Sequence, residues 1–342
     1  MNRRHFCQSG LLLAPALAVA APRRAAAAAA VKFVVDFAYQ GNHAVFALGA
    51  DNGHYGREGV TVAMDRGYGS GDTIVKVASG AYDIGFADVN AVVKFNAQNP
   101  DKRVIAVYQG FDRTLSAVIT LARSGIKQPS DLSGRTLGAP EADASRLLFP
   151  VFARKNGIDA ARVSWKSIAP NLRETILVQG QVDAITGFTT TSYFNLIAAG
   201  VNKADIRMMP FADYGLDLYG NALIVREDTV AARPDMIAGF VRGTIAGTRD
   251  AIADPAAGMR ALHRRDPLFD VDLERQRFEL ALKEAILTDA VRAGGFGTVD
   301  PARMALTIQA NAQAYDIASP PAPEQVYTTR FLPPQPERMP QA

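Results

Sequence analysis

The chain has 342 residues, with 37 basic against 34 acidic side chains, four histidines and one cysteine. Arg3, Arg4, Arg23 and Arg24 stand in a first stretch of 30 residues that holds no acid, which leaves 33 basic against 34 acidic residues for the rest and excludes a nucleic-acid binder. The sole cysteine, Cys7, and His5, His43, His54 and His263 show no ligand spacing, which excludes a Cys/His metal centre.

Residues 1–30 read as an export signal of twin-arginine type. Arg3-Arg4 precede the aromatic Phe6, and the apolar run Leu11 to Ala20, broken by Pro15, is shorter than the roughly 20 residues a bilayer span needs. A thiol-free remainder of this size must hold together by core burial alone.

Val31-Lys32-Phe33-Val34-Val35-Asp36 is a β-rich run that gives way to the loop Phe37 to His43 and then to a helix over 44–52. A second strand, 60–64, leads into Gly67-Tyr68-Gly69-Ser70-Gly71-Asp72, whose glycines open a helix bearing Ile74, Val77, Ala78 and Ala81. Such a loop points backbone N–H groups at an anion or a polarised ring substituent; the alternative is a plain tight turn. The spacing fits neither a phosphate-binding Gly-Lys-Ser/Thr ending nor a nucleophile elbow, so Ser70 reads as a donor or cap. The βα alternation predicts a parallel sheet with ligand at the carboxyl ends of its strands. Phe37, Tyr39, Asn42 and His43 then share a crevice with Ser70, Gly71 and Asp72, and Asp88 follows the next strand. For Phe37 and Tyr39 core packing and ligand stacking both remain open, and His43 reads as a helix-start hydrogen-bonding residue.

Further along, 103–108 is a strand, Phe111 and Arg113 follow it, and Asp143, Ser145 and Arg146 open a helix to Asn156 as a second anion site or an ordinary capped helix. Residues 163–168 are a strand and 171–178 a helix. Phe188, Thr189 and Tyr193 follow the strand that begins at Asp183 and face the crevice, with Tyr214 in a later aromatic loop. The segments around Gly80-Ala81-Tyr82-Asp83 and Gly180-Gln181-Val182-Asp183 repeat one device, a helix end, a glycine and an apolar-Asp-apolar turn, which indicates two lobes of like construction. Residues 234–314 are mostly helical. A tail from Ser319, with seven prolines, predicts an extended strap ending in disorder.

The segments 53–62, 69–72, 77–85, 131–138 and 178–184, in this order and spacing, resemble the substrate-binding proteins of ABC importers in the NMT1/THI5-like group. The resemblance implies an α/β type II periplasmic-binding fold, with lobe 1 at 31–119 and 223–318, lobe 2 inserted at 120–222, crossings near Val118-Ile119 and Asn221-Ala222, and a tail from 319. It implies a monomeric, periplasmic receptor, without cofactor, that closes on a small solute and hands it to an inner-membrane permease. The wider group takes thiamine pyrimidine precursors, riboflavin, sulfonates, taurine or nitrate. Aromatic candidates outnumber cationic ones here, which favours a planar heteroaromatic solute over a sulfonate, nitrate or aromatic acid. The rival is an enzyme, since synthases on this fold use a cysteine-rich motif, iron and pyridoxal phosphate, but Cys7 lies in the expected leader.

Overall fold

A computed structural model describes residues 29–341. The expected leader therefore lies outside the described residues, apart from Ala29 and Ala30, which begin the first strand. The strands are β1 (Ala29–Val34), β2 (Val60–Asp65), β3 (Ile84–Asp88), β4 (Val104–Gln109), β5 (Ser116–Leu121), β6 (Thr136–Ala139), β7 (Ser164–Ser167), β8 (Ala184–Phe188), β9 (Ile206–Pro210) and β10 (Asn221–Arg226). They form two five-stranded sheets, ordered β2-β1-β3-β10-β4 and β7-β6-β8-β5-β9. Each has three parallel strands followed by one that runs antiparallel to both its neighbours, β10 in the first sheet and β5 in the second. The lobes are thus mixed sheets of one topology.

The repeated glycine-aspartate device has a structural reason. Gly80 and Gly180 end their helices at φ +79° and +70°, a conformation that costs glycine no Cβ clash. Asp83 then accepts from Lys32 N–H and donates its own N–H to Lys32 O, while Asp183 makes the same pair of contacts with Thr136. Each aspartate thereby joins the third of the three parallel strands, β3 or β8, to the first of them in the chain, β1 or β6.

The chain passes between the lobes at 110–115 and 211–220, because β5 belongs wholly to the second sheet and β10 to the first. Both passages differ from the expected crossings, since Val118-Ile119 lie inside β5 and Asn221-Ala222 inside β10. Helices 44–51, 234–253, 255–263 and 271–281 cover one face of the first sheet, and helices 70–78, 89–98 and 301–314 the other. Fully buried Phe33, Phe86 and Phe240 anchor the first of these cores, and Phe149, Phe152 and Phe211 that of the second lobe.

The proline-rich tail is a strap on lobe 1. Ala106 N–H donates to Val326 O, and Thr328 N–H to Ala106 O, so Tyr327 bridges the outer edge of β4. Val326 and Phe331 are buried, and Arg249 donates to Glu337 O and Met339 O, which fixes the end that was expected to be disordered.

Candidate functional site

The carboxyl ends of the parallel strands of both sheets converge on one interlobe cleft, closed down to a free volume of about 20 Å³ and lined by Asp36, Phe37, Gly69, Ser70, Asp143, Ala144, Arg173, Phe188 and Thr191. Lobe 1 supplies the loop after β1 and the glycine loop after β2. Lobe 2 supplies the loop after β6, the helix Arg173–Val178 after β7, and the start of the helix Thr189–Ala198 after β8. Phe37 and Phe188 give the cleft one aromatic ring from each lobe. The residues placed after the strand and facing the crevice, Phe188, Thr189 and Tyr193, fall at the end of β8 and in a helix that begins at Thr189.

Asp36 is buried between His43 Nε2, 2.8 Å from Oδ1, and Asn221 Nδ2, which donates to Oδ2 at 2.9 Å. His43 Nδ1 accepts from Gln40 N–H at 3.1 Å, which places the ring proton on Nε2 and makes the imidazole a neutral donor to Asp36. The histidine thus has a carboxylate partner seven residues upstream.

Arg173 is buried to 1% exposure. Its Nε donates to Glu174 Oε1 at 3.0 Å and its Nη1 to Asp143 Oδ2 at 3.0 Å. Nη2 lies 3.0 Å from the same Glu174 oxygen but without hydrogen-bond geometry. Burial works against the guanidinium's charge, and the two carboxylates outweigh it and hold its pKa above the ordinary value. Burial also pushes Asp143 up, despite Arg173 and the N–H of Arg146 that it caps. Gly187 makes room for this group, since a Cβ there would stand 2.9 Å from Arg173 Cζ. The guanidinium lies 5.7 Å from the centre of the Phe37 ring.

Of the residues expected at the site, Phe37, Ser70, Asp143 and Phe188 line the cleft. Ser70 is buried and its Oγ accepts from Asp88 N–H at 3.0 Å. Asp88 lies behind it, fully buried, capping the helix from Val89 and accepting from Asn90 N–H at 2.8 Å; burial pushes its pKa up to about 6. The glycine loop meets the other lobe rather than open space. Gly71 N–H donates to Ala142 O at 3.0 Å and Gly69 N–H to Asp36 O at 2.8 Å. The second helix start is likewise filled, by the carboxylate of Asp143 itself.

The other expected residues serve the scaffold. Tyr39 donates its hydroxyl to Met64 O at 2.7 Å, and Asp72 pairs with Lys76 one helical turn on. Asn42 is buried at the helix start, and Phe111 packs edge-on against Phe86 in the core. Ser145 bonds Ser116, and Arg146 is spent on Ala139 O and Ser167 Oγ beside Trp165. Thr189 donates to Glu284 across the lobes, at 2.9 Å, while Tyr193 packs on Phe194 and Tyr214 on Phe152. Asp36, Arg173 and Thr191 are cleft residues the sequence reading missed. Arg173 carried a signal: it shares a helix face with Ile176 and Leu177, so a charge stands at a core position.

The lobes touch around the cleft. Thr191 Oγ1 donates to Gln40 Oε1 at 2.9 Å. Arg277, buried on the helix Val271–Ala281, donates to Thr190 O, Thr191 O and Asn195 Oδ1, with its Nε on Glu274. Among the described residues no cluster of His, Cys, Asp and Glu could hold a metal ion, and no helix is long and apolar enough to cross a membrane.

Two pseudo-symmetric lobes, two crossings and a small cleft at the strand ends define a periplasmic-binding-protein fold. The chain belongs to the NMT1/THI5 like family, which matches residues 40–258. It is 24% identical over 311 residues to the riboflavin-binding protein RibY of Chloroflexus aurantiacus, covering 85% of this chain and 82% of that one. To the formylaminopyrimidine-binding protein of Halalkalibacterium halodurans it is 24% identical over 233 residues, 68% and 69% of the two chains. It is also 21% identical over 257 residues to the 4-amino-5-hydroxymethyl-2-methylpyrimidine phosphate synthase of Schizosaccharomyces pombe, 73% of each. Among solved structures, the alkanesulfonate-binding protein SsuA of Xanthomonas axonopodis pv. citri, bound to MOPS, superposes with a TM-score of 0.66 at 14% identity over 88% of this chain and 98% of that one. At that identity the likeness carries the fold alone.

Proposed function

We propose that the protein is the periplasmic receptor of an ABC importer, which captures a small planar heteroaromatic solute of the thiamine-pyrimidine-precursor kind and presents it to an inner-membrane permease. The observation that carries this reading is a cleft between two hinged lobes that receives one aromatic ring from each, Phe37 and Phe188. A planar solute entering there contacts both lobes at once, and its binding energy favours the closed arrangement. Relatives named for binding riboflavin and a formylaminopyrimidine support the solute class, and both are named as binding proteins. No bond is made or broken in this role, so the cleft needs only donors, acceptors and ring faces.

The test is a thermal-shift series of the chain without its leader against pyrimidines, flavins, sulfonates, nitrate and aromatic acids, since a ligand of the native state raises its melting temperature. Phe37→Ala and Phe188→Ala should each weaken binding of a ring solute by about 1 kcal/mol while the fold persists. Full retention of affinity in both variants would move the pocket elsewhere.

A further inference from the structure

We infer that the cleft is built to take a neutral or cationic, N–H-bearing ring and to reject anions such as sulfonates and nitrate; this rests on the receptor reading above and narrows its solute. Three observations carry it. The cleft wall holds two carboxylates, Asp36 and Asp143, against one cation, Arg173, and Glu174 stands behind that cation. Arg173 is thus held between two acids, and His43, the one other group that could offer positive charge to Asp36, is a neutral donor. The buried groups around the cleft sum to a negative charge, which repels an anion most strongly where water is scarce.

Of the helix starts that could replace side-chain cations, two are filled by acids and a third is partly closed by the other lobe. Asp143 sits at the start of the helix Ala144–Lys155 and accepts from Arg146 N–H at 3.0 Å, so the chain's own carboxylate fills the position where an anionic solute would gain from the helix dipole. Asp88 caps the helix Val89–Gln98 in the same way, and Gly71 N–H, in the first turn of the helix Ser70–Ala78, is bonded to Ala142 O. Cations just outside the cleft are committed too, Arg146 to Ala139 O and Ser167, Lys76 to Asp72 and Arg277 to Glu274. What remains for a solute is one donor, Arg173 Nη2, beside acceptor capacity on Asp36 and Asp143. A ring that pairs an N–H or exocyclic amine with an acceptor nitrogen satisfies both the carboxylate oxygens and the Arg173 donor; a sulfonate or nitrate answers the donor alone and brings further acceptors to a site rich in them.

The experiment is titration calorimetry on the full chain and on Asp143→Asn, with 4-amino-5-hydroxymethyl-2-methylpyrimidine and riboflavin as N–H-bearing rings and MOPS and nitrate as anions. Asparagine is itself a good helix cap, so Asp143→Asn keeps an acceptor for Arg146 N–H while it releases Arg173 from one acid. Wild type should bind at least one ring about a hundredfold more tightly than either anion, and Asp143→Asn should gain about tenfold or more in MOPS affinity. Glu174→Gln releases the same guanidinium from its other acid and should show the same gain should Asp143→Asn fold poorly. Wild-type binding of MOPS or nitrate as tightly as the rings would overturn the charge assignment and leave the receptor standing. Wild type binding neither class, with MOPS affinity appearing in a variant, would uphold anion rejection and refute the ring solute. No binding by any of the three proteins would overturn both readings.

Discussion

Arg303 Nη1 donates to Asp112 Oδ1 at 3.1 Å, across one passage between the lobes, while Nη2 of the same side chain donates to Asp217 Oδ1 at 2.8 Å, in the other. One guanidinium from the helix Pro301–Ala314 therefore ties together the two segments about which the lobes must turn, with the Tyr219 ring 4.2 Å beneath it. Asp112 is buried and takes a second bond from Thr288 Oγ1. Arg303→Met should destabilise the fold by about 2 kcal/mol, chiefly through the unpaired Asp112, and lower the melting temperature in calorimetry. An unchanged transition would show that the tie has no energetic role.

A second contact joins the lobes beside the cleft, where Arg277 reaches Thr190 O, Thr191 O and Asn195 Oδ1. Arg277→Leu should cost about 3 kcal/mol by stranding buried Glu274. Arg277→Lys should recover much of that stability, because a cation returns beside Glu274, yet one ammonium does not reproduce the guanidinium's fork onto Thr190 O, Thr191 O and Asn195. Solution scattering of the lysine variant should therefore give a larger radius of gyration than wild type. Equal radii would assign Arg277 to stability alone.

Gly69 has φ +126°, and a Cβ there would stand 2.6 Å from Ala142 O in the other lobe. Gly69→Ala should leave helical circular dichroism intact while it weakens solute binding by more than about tenfold, since the lobes can no longer meet. Wild-type affinity in this variant would mean that the loop yields without cost.

Asp88 gives a pH-dependent term. In the fold burial makes it keep its proton up to about pH 6, well above the ordinary carboxylate range, so the folded state binds the extra proton in between and stability falls as pH rises toward and through 6, then levels off. Asp88→Asn retains an acceptor for Asn90 N–H and carries no charge. It should exceed wild type by about 2 kcal/mol above pH 6, with the gap closing below pH 4, as read from urea midpoints. A constant gap across that range would refute the assignment.

Export is testable through Arg3 and Arg4. Replacing both with lysine should leave precursor in the cytoplasm with its fold unaltered, read by fractionation; normal periplasmic accumulation would sink the twin-arginine route.

Much of the architecture was legible because its signals are local. Gly80 and Gly180 mark helix ends, and each aspartate three residues on marks a strand start. Elements whose stability comes from elsewhere were not legible. Ile206–Pro210 has little β-branched character and ends in proline, yet it pairs along β5 as β9. The helix Val89–Gln98 was missed although Asp88 caps it, and the tail was read as a strap but not as one with an ordered end, since β4, some 220 residues earlier, and Arg249 hold it. At the site, loop position identified Phe37, Ser70, Asp143 and Phe188, but residue type did not separate them from Tyr39, Tyr193 and Tyr214. Those three are half-buried tyrosines whose rings turn toward their own lobes. Arg173 was passed over because charge reads as surface until its partners are brought together.

The placement of β10 has a consequence for biosynthesis. Every strand of the second sheet comes from the unbroken segment 116–210, whereas the first sheet lacks its fourth strand until 221–226 has been made, and its outer edge stays uncovered until Tyr327 arrives. On a ribosome the inserted lobe can therefore finish folding while the lobe encoded first still waits with β3 and β4 apart. During that interval β3 and β4 offer free edges to any neighbouring strand, and the charged and proline-rich final residues are the last to remove the hazard.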